Sequence, residues 1–213
     1  MRELNIVFGK DWNDIETVTP NFFAFEGTKG AEHYVEKEDA LQSAIRIGQI
    51  AINRAHADFP GLQVLNTILG GYFGSRLMAN IREDKGFTYG IGSAVVSLKN
   101  TGYFFIASEV GADVCGQAMF EIEKEVNLLK SQQVSEGELD LVRNYMLGSM
   151  LGSLENALSH ADKFKNIYFS GLDYDYYDSY IRIVRNISPE DIQGLANKYL
   201  NFEDFQKVIV GKK

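Results

Sequence analysis

The chain has 213 residues, 45% of them hydrophobic and 23% charged, and 29 acidic against 21 basic side chains give a net charge of −8. That is the mix of an ordinary globular protein, and with no stretch that concentrates lysine and arginine it argues against a nucleic-acid backbone as partner. The single cysteine, Cys115, excludes an internal disulfide and leaves the compartment open, and no apolar run approaches the roughly 20 residues of a membrane span.

A chain of this length buries roughly 70% of its unfolded surface, so it folds without a disulfide or structural metal. Residues Met1 to Phe8 have neither the apolar core nor the cleavage site of a signal peptide. The sequence opens directly on strand-like residues, Leu4 to Phe8. We therefore expect one domain over residues 1–213, cut from a longer protein, with residues 1–40 as a lead-in segment. Within it, Phe22 to Phe25 also reads as a short strand and Glu26 to Asp39 as a polar stretch. From Ser43 to Ile52 the run SAIRIGQIAI is apolar on both faces, which predicts a central strand.

Asp58-Phe-Pro60 offers a cap and a first-turn proline, and Leu62, Leu65, Ile68 and Leu69 follow at helical spacing up to Gly70-Gly71. A second short helix begins at Ser75, carries Leu77, Met78 and Ile81, and stops at Gly86. Two strands, Tyr89 to Leu98 and Tyr103 to Val110, are joined by Lys99-Asn-Thr-Gly102 as a hairpin. From Asp113 onward the pattern is helical. One stripe is Val114, Ala118, Ile122, Val126 and Leu129; another is Leu139, Val142, Met146 and Met150, opened by the capping-box residues Ser135 and Glu138. Further helices cover Ala157 to Phe169 and Tyr176 to Val184, a last one starts at Ser188-Pro189, and Lys207 to Val210 closes the chain as a strand. Strands first and helices after them predict an α+β fold, a mostly antiparallel sheet with helices packed on one face.

Few residues offer chemistry. His33, His56 and His160 have no partner at metal-site spacing and read as solvent-facing or turn residues. Cys115 has no histidine near it and reads as a small buried side chain. Tyr174, Tyr176, Tyr177 and Tyr180 have the spacing of packing residues, and we assign them no site. The informative stretch is Leu69 to Gly92. Its glycines 70, 71 and 74 allow a sharp turn or a close approach to a ligand, yet no phosphate-loop pattern is present. On glycines alone, a tight helix–helix turn is the better reading.

The same stretch resembles the insulinase/pitrilysin family of metallopeptidases, which includes mitochondrial processing peptidase. The shared pattern is Gly70-Gly71, Ser75-Arg76-Leu77, Ile81-Arg82-Glu83, Lys85-Gly86-Phe87 and Tyr89, and the closing Val208 to Gly211 fits as well. The resemblance implies one domain of a clamshell whose two halves each hold two such domains. The zinc motif His-x-x-Glu-His is absent, so no cofactor is expected in this chain, zinc is expected in a partner domain or subunit, and the chain alone is expected not to hydrolyse peptides.

What it does match is the arginine and tyrosine that such families supply from the half opposite the metal, here Arg82 and Tyr89. The resemblance makes these the candidate catalytic residues, Tyr89 donating to the oxyanion of a peptide carbonyl and Arg82 holding substrate carbonyls or a carboxylate. Gly70 and Gly71 join them as candidate substrate-binding positions. The implied partners are a peptide substrate and a zinc-bearing domain or subunit, in a dimeric clamshell. The alternative is a structural subunit of the same fold, as in respiratory complexes; retention of Arg82 and Tyr89 favours the enzyme reading. A free-standing peptide-binding module is a third reading, which would need an exposed sheet edge. The glycine segment is shorter than the loop of the processing peptidases, a departure from the pattern.

Overall fold

The computed structural model describes residues 2–9 and 30–212. Five strands, β1 (Glu32–Glu36), β2 (Gln42–Ala51), β3 (Thr88–Ser97), β4 (Gly102–Gly111) and β5 (Gln206–Gly211), form one sheet in the order β1-β5-β2-β4-β3. Only the β1–β5 pair is parallel. The described helices are α1 (Arg2–Phe8), α2 (Phe59–Asn66), α3 (Cys115–Ser131), α4 (Glu136–Gly152), α5 (Ala157–Tyr168), α6 (Asp175–Asn186) and α7 (Pro189–Tyr199).

Strand alternation sends every second side chain to one face. Ile45 and Ile47 of β2, Ile91 and Val95 of β3, and Phe104, Ile106 and Val110 of β4 meet Leu62 and Leu65 of α2, Ile122 and Val126 of α3 and Ile192 of α7 in one buried core. The opposite face carries an Arg46–Glu109 ion pair at 2.5 Å and leaves Ile50 and Tyr103 exposed. The architecture is therefore the expected α+β layer, helices on one face of a mostly antiparallel sheet.

β2 is central, as predicted, but not because both faces are buried. It pairs along its whole length with β4 and from Ala44 to Gly48 with β5, and of the outward residues of its apolar run Ile50 is exposed while Ala44 and Ile52 are only partly buried. Two readings of the lead-in segment change. Leu4 to Phe8 lies in α1 rather than in a strand: the sheet's strands pair with one another, and a segment without a ladder partner satisfies its backbone within a helix. Part of the polar stretch from Glu26 to Asp39 forms β1, an edge strand that lies exposed apart from Tyr34 and therefore carries no apolar period to read. The expected strand Phe22 to Phe25 lies outside the described residues.

Two short helical stretches widen. α2 runs into a π-helical turn, Thr67–Gly71, where Thr67 Oγ1 donates back to Gln63 O at 2.8 Å. A helical stretch over 76–84 is π-helical from Met78 to Asp84, and Gly86, with φ +67°, ends it in the left-handed region where a side chain is strained. Asp58 precedes α2 but does not cap it with its side chain. Its carboxylate instead accepts from Lys198 Nζ and Tyr199 OH of α7, both at 2.6 Å.

Candidate functional site at the start of β3

Leu77, Met78 and Ile81 drive the 76–84 stretch onto the core, Leu77 and Ile81 being fully buried. Polar ties then fix its position. Arg76 makes a two-pronged pair with Glu138 of α4, Nε to Oε1 and Nη2 to Oε2, each at 2.8 Å. Asn80 Nδ2 donates to Glu121 Oε2 and Glu125 Oε1 of α3 at 3.0 and 2.7 Å. The Asn80 amide, and after it Lys124, hold the Glu121 carboxyl below its usual range, and Lys85 stands 3.8 Å from its other oxygen. The stretch is thus tied to two helices from below, while Arg82 rides on its outer side.

Arg82 Cζ sits 4.7 Å from the centroid of the exposed Phe73 ring, and Nη1 lies 3.7 Å from Glu83 Oε1. Stacking on Phe73 orders the guanidinium plane while leaving donors free.

Tyr89 follows within a few residues. Lys85 N donates to Asn80 O and Phe87 N to Ile81 O, both at 3.0 Å, which clamps the link between the π-helical segment and β3. The pairing then jumps, Thr88 opposite Val110 but Ile91 opposite Ser108, so β3 holds one extra residue in a bulge at Tyr89–Gly90. Side chains replace the missing ladder bonds: Thr88 Oγ1 donates to Glu109 O at 2.5 Å and accepts from Gly90 N at 3.1 Å, and Ser108 Oγ donates to Gly90 O at 3.0 Å. Held by that lock, Tyr89 projects outward and is 93% exposed.

Arg82 and Tyr89 line one open cavity of about 660 Å³, together with Leu41, Gln42, Gly86 and Phe87. A planar fork of donors and a phenol over one trough suit a ligand rich in carbonyl or carboxylate oxygens. Gly70 and Gly71 do not line it. Gly70 is buried where β3 crosses the π-helical turn, and a Cβ there would stand 2.6 Å from Ser93 Oγ; Gly71 packs beside Asn66 and Thr67. Ser93 Oγ donates to Asn66 Oδ1 at 2.8 Å at this crossing.

The sequence reading missed the roles of Arg76 and Asn80. Glu138 was assigned to a capping box, and half of that box exists: Ser135 Oγ accepts from Glu138 N at 3.2 Å. The reciprocal bond is absent because both Glu138 oxygens serve Arg76. The only trace of this in the sequence is Arg76 standing beside buried Leu77, and its partner is 62 residues away. Cys115 is buried as expected, and burial pushes its thiol up, away from a reactive thiolate. His33, His56 and His160 are exposed and belong to separate segments.

A family model described as "Peptidase M16 inactive domain" matches residues 8–146, more than half of the chain. The chain belongs to that family. It is 28% identical over 180 residues to an uncharacterized zinc protease, YmxG, of Bacillus subtilis (strain 168), covering 84% of this chain and 44% of the relative. A second relative in the same organism, the probable inactive metalloprotease YmfF, is 24% identical over 74% of this chain and 37% of its own length. The crystal structure of a peptidase M16 inactive domain from Pseudomonas fluorescens superposes with a TM-score of 0.79 at 25% identity, over 87% of this chain and 44% of that one. This chain thus spans less than half the length of these relatives.

The resemblance read in the Gly70 to Tyr89 stretch therefore holds for the M16 inactive domain as a whole. The zinc in its relatives' names has no fitting donor set here: among the described residues no three His, Cys, Asp or Glu side chains are grouped so as to hold a metal. Among them, too, no helix is long and apolar enough to cross a membrane.

Proposed function

We propose that this M16 inactive domain is the substrate-contacting partner of a zinc-bearing domain or subunit, the two closing as a clamshell on a peptide. One observation carries the reading. Tyr89 is locked on a bulge with its phenol almost wholly in solvent, beside Arg82 on the same cavity. An exposed tyrosine on so constrained a backbone gains nothing for this domain's own stability, and it suits contact with something outside it.

In the closed assembly Tyr89 OH donates to the carbonyl oxygen of the scissile peptide as negative charge grows on it, an interaction stronger in the transition state than in the ground state. Arg82 holds neighbouring carbonyls or a carboxylate through its fork and sets the peptide's register. The metal site belongs to the partner. Gly70 and Gly71 contribute through the close crossing of backbone segments that supports the corner. Residues 1–213 act as one domain of this longer assembly.

The test is steady-state peptidase kinetics on the full-length protein with its zinc-bearing domain or subunit. Tyr89→Phe is expected to lower kcat about a hundredfold with KM little changed, and Arg82→Ala to raise KM as well. Equal cleavage by wild type and both variants would refute the catalytic role. A second reading, a structural subunit without catalytic contacts, draws on the name of one relative, a probable inactive metalloprotease; it predicts that same null result together with loss of assembly when the cavity rim is changed.

A further inference from the structure

At the other end of β3 from Tyr89, residues of helices α2, α4, α5 and α6 line a second open cavity of about 370 Å³. Its wall includes Arg54, Lys163, Tyr176, Tyr177 and Tyr180, and it contains no aspartate or glutamate. In a chain with 29 acidic residues, two cations facing one cavity without a carboxylate leave positive charge uncompensated.

The contacts of these groups are neutral. Arg54 donates from its backbone N and its Nε to Ser97 Oγ, at 3.0 and 3.4 Å. Lys163 Nζ stands 5.5 Å from the centroid of the Tyr177 ring, and Tyr177 OH donates to Lys163 O at 3.0 Å. Among the described residues neither cation is in an ion pair, and the Tyr176 and Tyr180 hydroxyls have no hydrogen-bond partner. These groups are half-buried, and burial pushes the Tyr176 and Tyr180 hydroxyls up to about 12 and the Lys163 ammonium down. A charge beside these half-buried groups is screened less than in bulk water.

The tyrosines supply flat surface. Tyr176 and Tyr177 meet edge to face at 5.4 Å between centroids, and Tyr176 lies 6.1 Å from Tyr180. They pack, as their spacing predicts, yet all three remain partly open toward the cavity. Small-ligand pockets span about 300–1,000 Å³ and pair an apolar wall with a few placed polar groups.

We propose that this cavity binds a carboxylate carried on a flat apolar body, the carboxylate held by Arg54 and Lys163 and the body lying against Tyr176, Tyr177 and Tyr180. Such a group is either a free aromatic acid or the C-terminal residue of a peptide. β3 has ten residues, about 30 Å of extended chain, so a small ligand here does not reach Arg82 or Tyr89.

Isothermal titration of the full-length protein tests this with 4-hydroxyphenylacetate and with a tetrapeptide ending in phenylalanine, each as free acid and as amide. The acids are expected to bind saturably and the amides at least about tenfold more weakly, because a charge-assisted contact is lost. Arg54→Gln and Lys163→Met are each expected to weaken the acids about tenfold with circular dichroism unchanged. Binding of the peptide acid but not the free acid assigns the site to a peptide C-terminus; the reverse assigns it to a small acid. Acid and amide binding alike on the wild-type protein, or no saturable binding of either acid, overturns the proposal without reliance on any variant.

Discussion

The two ends of β3 carry the two proposed binding surfaces, and these are built in different ways. At its start the two groups proposed to face a ligand are the exposed Tyr89 and the half-buried Arg82, and the framework behind them is braced: Leu77 and Ile81 buried underneath, Asn80 tied to Glu121 and Glu125, Arg76 tied to Glu138. At its far end the facing groups are themselves half-buried, and the nearby helices show solvent a row of aromatics, Phe164, Tyr168, Phe169 and Tyr174. The first arrangement fixes geometry before any ligand arrives, which suits contact with a transition state. The second relies on half-buried charged and aromatic groups and fixes geometry less. A surface of the first kind is damaged by removing what lies beneath it, one of the second kind by removing the charged groups themselves.

The comparison breaks most readily at Ile81. Ile81→Ala removes a fully buried side chain beneath Arg82 and is expected to cost about 2–5 kcal/mol in urea unfolding. A loss under about 1 kcal/mol would mean that the corner relaxes into the space and is not braced by the core. Arg76→Met comes next, at about 1–3 kcal/mol, and should be non-additive with Glu138→Gln in a double-mutant cycle, since each change strands the same partner. Additive losses would show that the pair does not act as a unit.

The smallest effect belongs to the far end, where Asp58 joins the turn after β2 to α7. Hydrogen bonds from Lys198, then Tyr199, hold the Asp58 carboxyl below its usual range. Its contribution is therefore present above the ordinary aspartate value of about 4 and is lost as pH falls through the lower folded value. Asp58→Asn should lower Tm by no more than about 2–4 °C at neutral pH, and the gap from wild type should close in acid. A gap that persists unchanged at acid pH would place the effect in packing instead of charge.

Wherever burial has a period, the sequence was readable. The stripe from Ala118 to Leu129 and the run from Leu62 to Leu69 are buried as their spacing predicts, and β3 and β4 pair as the expected hairpin, with Gly102 opposite Ser97. The edge strand β1 was not readable, because an exposed parallel edge carries no apolar alternation. At the site, the residue types and their order were visible in Ile81-Arg82-Glu83 and Tyr89, but neither the bulge nor the Arg76–Glu138 clamp was. A bulge is defined by the partner strand, and the clamp spans 62 positions.

The sequence by itself determined the layer architecture and the Gly70 to Tyr89 stretch that resembles the family, because these follow from local periodicity and from residues that stand close together in the chain; the central place of β2 was settled by its pairing with β4 and β5. The tertiary structure alone decided which way Tyr89 points, what orders Arg82, and that Arg54, Lys163 and three tyrosines share one wall. Those outcomes depend on β4, α3, α4 and α5 arriving from elsewhere in the chain, and local spacing holds no information about distant partners.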